Sequence, residues 1–256
     1  MICIYDSGVG GISTLMSLRK RHPSADVTYL GDTARVPYGP RDAATVCRYA
    51  TEALDYLAAT SPEAILVACG TVSTVALPRI AYRYSVPVHG VAEAGIRAAA
   101  ALGCRRLAVL GTEATVRSGT FARRLRELCP TAEVRSLACP LFVSLAEAGL
   151  TAPDDPIPRL AAERTLSPLL EFAPEAILLG CTHFPWLSCH VARLFPAAHL
   201  VNCGEEAAAA LAPMLSADGA GRCRFLVTDG AEAFLRTYRR LTGDTSPCDV
   251  TAVALT

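Results

Sequence analysis

Two cysteines occupy duplicate surroundings in this chain. Pro62-Glu63-Ala64-Ile65-Leu66-Val67-Ala68-Cys69-Gly70-Thr71 is repeated with little change as Pro174-Glu175-Ala176-Ile177-Leu178-Leu179-Gly180-Cys181-Thr182-His183. Each copy is a short, branched apolar run entered from a proline, which is how a parallel strand buried on both faces reads. In open α/β sheets, ligands bind beyond the carboxyl ends of the strands, so each copy delivers one thiol to such an edge. Two thiols on opposite sides of a cleft can take a proton from one face of a carbon and return one to the other. That chemistry is stereoinversion, and a thiol suits it because its pKa lies near neutral and responds to helix ends or to a neighbour such as His183.

Other uses of the pair fit less well. A redox disulfide needs Cα atoms within about 7 Å, which leaves no room for a substrate. Cys181, His183, Cys189 and His190 are close in sequence, but their spacing matches no standard zinc pattern. A single buried cysteine is ordinary packing, and a single histidine is often a core residue; the duplication is what raises both above that reading.

The elements that would hold these groups can be read in order. Residues 2–5 form a strand that ends at Asp6-Ser7-Gly8-Val9-Gly10-Gly11, followed by Ile12, Leu15, Met16 and Leu18 at helical spacing. The glycines would let backbone N–H groups approach an anion. A dinucleotide fingerprint is only partly matched, by Gly8 and Gly10 with Ser13 in the third place and Asp26 or Asp32 as weak ribose partners. Asp6, at the strand end, can orient an ammonium group or accept a proton. Residues 27–30 make a second strand, and the proline- and glycine-rich loop 31–40 is stiff. Residues 43–59 make a helix with Val46, Ala50, Leu54 and Leu57 facing inward.

After Cys69, residues 71–77 should turn twice as a helix before Pro78 ends it, placing the thiol at a helix N-terminus that favours thiolate. A strand over 86–91 follows. Residues 107–115 open a second unit in the same style as the first, with threonines where the first has Asp6. A helix over 121–128, a strand over 134–138, an exposed bend at Pro153-Asp154-Asp155-Pro156 and a helix over 160–171 lead to the second repeat strand. A strand over 200–203, a helix over 205–215, a loop over 217–222 and closing strands over 225–229 and 250–254 complete the chain.

A chain of 256 residues that is 52% hydrophobic can bury one large core or two smaller ones, and the repeat favours two. Lys plus Arg and Asp plus Glu are 24 each, so no net field draws the protein to nucleic acid or an anionic membrane; a small molecule is the expected partner. No leader-like start and no long apolar stretch is evident, which points to a cytoplasmic protein. Eleven scattered cysteines without a Cys-x-x-Cys pair disfavour a disulfide framework and a structural zinc site. No low-complexity linker separates the units, so they should pack together.

Taken together, Asp6-Ser7-Gly8-Val9-Gly10-Gly11, Asp32-Thr33-Ala34-Arg35-Val36-Pro37-Tyr38-Gly39, Cys69-x-Thr71, Gly111-Thr112-x-Ala114-Thr115, Ala138-Cys139-Pro140-Leu141-Phe142-Val143 and Gly180-Cys181-Thr182-His183-Phe184-Pro185 resemble the glutamate racemases of the aspartate/glutamate racemase superfamily. The resemblance implies an α/β protein of two Rossmann-like, flavodoxin-like domains with parallel sheets related by a pseudo-twofold axis, and an active site at their interface. It divides the chain into 1–93 plus 206–256, carrying Cys69, and 94–205, carrying Cys181. Cys69 and Cys181 match the catalytic acid and base, Asp6 and His183 their assistants, and Asp32 and Glu147 supporting groups. Asp6, Ser7, Pro37, Tyr38, Gly39, Gly70, Thr71, Thr112, Thr115, Thr182 and His183 match substrate contacts. The family needs neither pyridoxal phosphate nor metal, its D-glutamate goes to peptidoglycan, and a homodimer is compatible with it.

One departure bears on chemistry. The family has Asn where this chain has Gly70, so an amide that holds the amino-acid head group is missing, at a cost of about 1–3 kcal/mol in a desolvated site. Glycine should also loosen the backbone there, leaving space for water. Ser144 and Ala148 replace the usual Pro and Glu and read as drift. The reading is therefore cofactor-independent interconversion of L- and D-glutamate; the alternatives are racemisation of a different amino acid, or a racemase fold that has lost turnover and binds or regulates instead.

Overall fold

In the computed structural model, which describes residues 1–216, 219–246 and 248–255, the chain builds two parallel sheets. Strands β1 (Ile2–Asp6), β2 (Val27–Gly31), β3 (Ala64–Val67) and β4 (Val88–Gly90) come first; β5 (Arg106–Gly111), β6 (Glu133–Ala138), β7 (Ala176–Leu179) and β8 (His199–Asn202) follow; β9 (Cys223–Val227) and β10 (Val250–Ala252) close the chain. The sheet orders are β10-β9-β2-β1-β3-β4 and β6-β5-β7-β8. The first four strands and the next four thus share one order, and every pairing is parallel. This is the physical content of the repeat: β3 and β7 hold equivalent places, each beside the first strand of its unit. The gap between those neighbours is where a parallel sheet opens a crevice at its carboxyl edge.

The central strands read as unbroken apolar runs because both faces are covered. In β1, Ile2 and Ile4 point into one core cluster and Cys3 and Tyr5 into another. One cluster runs through both units, taking Leu66 and Phe225 from the first sheet and Leu107, Val109 and Leu178 from the second, with helix Val91–Ala101 between them. The other two clusters cover the outer faces, under helix Ala43–Ala58 on one side and around Phe142 and Phe184 on the other. A shared apolar middle keeps the two sheet edges in a fixed relation, and the site depends on that.

Local chemistry explains the departures from the expected elements. Helix Gly70–Val75 stops early, and Pro78 falls in the first turn of the next short helix, Leu77–Ile80, where a missing N–H costs nothing. Only Val88–Gly90 of the expected strand is paired, and Val91 already begins a helix. Gly119, at φ 64°, divides the second unit's first helical stretch into Glu113–Ser118 and Thr120–Leu128. The bend at 153–156 is a helix start: Asp155 accepts from the Ile157 N–H at 2.9 Å and Pro156 sits in the first turn of Pro156–Leu166. Helix Cys203–Leu211 begins and ends earlier than expected. Helices Pro140–Ala148 and Ala231–Thr242 were not anticipated. Part of the loop expected over 217–222 lies outside the described residues. No helix among them is long and apolar enough to cross a membrane.

Candidate active site between the two sheets

The carboxyl ends of the two sheets face one cavity of about 220 Å³. The first unit lines it with Ser7, Val36–Pro40 and Cys69–Thr71, and the second with Thr112, Glu113, Pro140, Val143, Ser144 and Cys181–His183. Both repeat cysteines therefore open onto the same cavity, and both are free. The volume is below the roughly 300–1,000 Å³ of sites for drug-sized ligands, so it suits a molecule of amino-acid size.

Eleven of the fifteen expected site residues line the cavity: Cys69, Cys181, His183, Ser7, Pro37, Tyr38, Gly39, Gly70, Thr71, Thr112 and Thr182. The other four stand behind the wall. Asp6 is wholly buried, accepting from the Gly8 N–H at 3.0 Å and from the Thr182 hydroxyl at 3.4 Å. Thr115 receives the Thr112 hydroxyl at 3.0 Å, and Thr71 reaches Thr112 at 2.9 Å, so three hydroxyls knit the two units beside the cavity. Asp32 anchors the stiff loop by accepting from Arg35 Nε at 2.7 Å, from the Thr228 hydroxyl at 2.8 Å and from the Tyr38 hydroxyl. Glu147 meets His183 Nε2 at 3.1 Å. Loop 36–40 is thus a fitted wall: Gly39 O accepts the Ala114 N–H at 3.0 Å across the cleft.

Sequence reasoning missed Val36, Pro40, Glu113, Pro140, Val143 and Ser144. Pro140 and Val143 lie inside a motif that had been singled out. Ser144, read as drift, lines the cavity; helix Pro140–Ala148 turns it there, and that helix was not foreseen.

Two glycines prove to be steric requirements. A Cβ on Gly10 would lie 2.3 Å from Thr182 Oγ1 and 2.7 Å from the His183 ring, so the glycine turn serves close approach between the units at this point. A Cβ on Gly70 would lie 1.9 Å from the Gly180 carbonyl oxygen. The expectation of a loosened backbone with room for water is therefore overturned, because the opposite unit's main chain already fills that side of Gly70.

The thiols are held differently. Cys69 Sγ is 3.4 Å from the Ser7 hydroxyl. Burial first, and then the Asp6 carboxylate, push this thiol up to about 12, against the hydrogen bonds of Ser7 and the Val72 N–H. The helix-end expectation of a thiolate fails because desolvation and a like charge outweigh those donors. Cys181 Sγ is 3.6 Å from His183 Nδ1. Burial alone would lower His183, but its hydrogen bonds to Cys181 and Glu147 prevail and raise it to about 10. Burial also raises Asp6 above the usual carboxylate range, opposed by His183 and by N–H donors. Cys189 turns away toward the Thr151 carbonyl at 3.9 Å, and among the described residues no group of three or more His, Cys, Asp and Glu could hold a metal ion.

Two parallel sheets whose carboxyl ends face one cavity, each supplying a thiol from an equivalent strand end, define a two-unit α/β protein with a candidate site between its halves. Residues 14–212 match the family model for Asp/Glu/Hydantoin racemase, and the chain belongs to that family. It is 39% identical to a glutamate racemase of Geobacter metallireducens, covering 94% of this chain and 92% of that one. The crystal structure of glutamate racemase from Thermus thermophilus in complex with β-chloro-D-alanine superposes with a TM-score of 0.87 at 40% identity, covering 99% and 96% of the two chains. The glutamate racemase of Francisella tularensis in complex with D-glutamate gives 0.90 at 29% identity, covering 99% and 97%.

Proposed function

We propose that this chain interconverts L- and D-glutamate by a two-thiol mechanism without a cofactor. The observation that carries the reading is the shared cavity onto which Cys69 and Cys181 both open. In one direction Cys181 takes the α-proton while Cys69, which rests as a thiol because its pKa is raised, gives its proton to the opposite face. In the other direction the roles exchange. His183 and Asp6 assist the two thiols, and Asp32 and Glu147 support Tyr38 and His183.

Removing an α-proton spreads negative charge onto the substrate carboxylate. The Ser7 hydroxyl, which lines the cavity and accepts from Cys69, keeps its own hydrogen to donate to it, and the hydroxyls of Thr71 and Thr112 can donate by leaving their bonds to each other and to Thr115; donors close to developing charge stabilise it. Val36, Pro37 and Pro140 help to exclude water, which strengthens those interactions. Glutamate is favoured over other amino acids because the relatives that match nearly the whole chain are glutamate racemases, one of them holding D-glutamate.

The reading takes residues 1–93 with 206–256 as one domain and 94–205 as the other, places the enzyme in the cytoplasm, and assigns its D-glutamate to peptidoglycan. A homodimer is compatible with it. Polarimetry of the purified protein with each enantiomer tests the reaction, beside the same assay on aspartate and alanine. Inversion of glutamate from both sides is expected; inversion of another amino acid in preference would overturn the substrate assignment.

A further inference from the structure

The partly matched glycine fingerprint after β1 has Ser13 in its third place, and this serine does not line the catalytic cavity. Resting on the two-thiol reading, we infer that Ser13 is a positioning residue. Its hydroxyl reaches from the first unit to the main chain beside Cys181 and fixes that thiol at the distance from Cys69 at which both can act on one carbon.

Each thiol is set within its own sheet by main-chain bonds. The Ala68 N–H donates to the Tyr5 carbonyl at 2.8 Å in the first unit, and the Gly180 N–H to the Leu110 carbonyl at 2.8 Å in the second. Neither bond determines the gap between the thiols, which depends on how the end of β7 sits against the first unit. Contacts on both sides of Cys181 settle that. Before it, the Gly180 carbonyl abuts Gly70, where a Cβ has no room. After it, the Ser13 hydroxyl donates to the Thr182 carbonyl at 2.9 Å, sharing its hydrogen with the Gly10 carbonyl at 3.1 Å. The Thr182 hydroxyl also reaches Asp6, by a longer bond of 3.4 Å.

Ser13 stands in the first turn of helix Ile12–Arg21 and is only 8% exposed. Among the described residues no other donor reaches the Thr182 carbonyl, so without Ser13 a buried acceptor would lose its partner and the turn would shift to find another. The first thiol has no counterpart to this hold. Gly70 follows Cys69 as Thr182 follows Cys181, and the Gly70 carbonyl takes the Thr74 hydroxyl of its own helix at 2.9 Å. Loss of the Ser13 hydroxyl therefore displaces Cys181 and leaves Cys69 in place.

The experiment compares Ser13→Ala with Ser17→Ala in the full-length protein. Ser17 is the control, because its hydroxyl bonds to the Ser13 carbonyl at 3.0 Å within the same helix. Ser13→Ala should lower kcat/KM for glutamate about tenfold in both directions, less than the loss that a displacement of about 1 Å can bring. Ser17→Ala should leave it unchanged. Deuterium at the α-position separates positioning from general loosening. Its isotope effect on kcat/KM should rise for the enantiomer that loses its proton to Cys181, whose transfer becomes the slower one, and fall toward unity for the other. Site-resolved alkylation by iodoacetamide, read by mass spectrometry, should quicken about fivefold at Cys181, in line with the loss of one hydrogen bond, and stay unchanged at Cys69.

Unchanged kcat/KM in Ser13→Ala, an equal loss in Ser17→Ala, isotope effects that move alike for both enantiomers, or equal quickening at both thiols would each overturn the role of Ser13 and leave the racemase reading standing. Failure of the unmodified protein to invert glutamate would overturn that reading and the inference with it.

Discussion

The two thiol-bearing strand ends begin as copies and diverge within two residues. After Cys69 the chain enters helix Gly70–Val75 at once, and the sulfur is left with a hydroxyl and a buried carboxylate nearby. After Cys181 the chain passes through Thr182 and His183 into a short 3₁₀ turn at Phe184–Leu187, which brings an imidazole to the sulfur. Burial first, and then a negative neighbour, holds Cys69 as an acid, while a proton-bearing neighbour serves Cys181. A fold with pseudo-symmetric halves therefore presents two chemically different thiols to one carbon. Such a site need not give both enantiomers the same kcat, although kcat/KM must match because the enantiomers have equal free energy.

The largest expected effect comes from the place where the halves touch. Gly70→Ala, and still more Gly70→Asn, must push the Gly180 main chain away from a position 1.9 Å from the new Cβ. A displacement of about 1 Å can cost about a hundredfold in rate, so kcat/KM should fall by at least that much. Unchanged or increased turnover in Gly70→Asn would mean that the two ends do not need this approach.

His183→Asn comes next. It removes the group beside Cys181 and leaves Cys69 untouched. Because Cys181 takes the proton in one direction and gives it in the other, kcat/KM should fall equally in both, on the order of a hundredfold, while kcat and KM change by different factors for the two enantiomers. Separate kcat and KM values for the two directions check this, and identical changes in both would dissolve the distinction between the ends.

A smaller effect should appear in stability against pH. His183 is raised from 6.5 to about 10 in the folded protein, so the proton it binds stabilises the fold fully below about pH 6.5, and that contribution is lost as pH rises through about 10. The thermal midpoint should decline over this window, and the decline should flatten in His183→Asn. Tyr38→Phe should have the smallest effect: it removes one of three donors to buried Asp32, costing about 1 kcal/mol in a denaturant titration with less than about a tenfold loss of rate.

The repeat and the strand ends that carry Cys69 and Cys181 were legible in the sequence, because periodicity and strand-end chemistry are local, while most of the cavity wall came through the resemblance to the racemase family. Cys69, Thr71, Cys181 and Thr182 could be placed at a sheet edge from their strands alone. What escaped was non-local. That Gly70 abuts Gly180 depends on how two distant segments meet, and no spacing within either segment records it. The resting state of Cys69 was misread because its position after a strand suggested a helix end, while burial and Asp6 decide the outcome. Helix Pro140–Ala148 was hidden behind its opening Cys139-Pro140, so the orientations of Ser144 and Glu147 were out of reach.

The most direct test of the account is the pair of variants Cys69→Ser and Cys181→Ser, assayed for inversion of glutamate from each enantiomer. A hydroxyl is a far weaker acid than a thiol, so each variant alone should lose inversion in both directions by about 10²-fold to 10⁴-fold. Either variant that inverts both enantiomers at the unmodified rate would contradict the two-thiol mechanism.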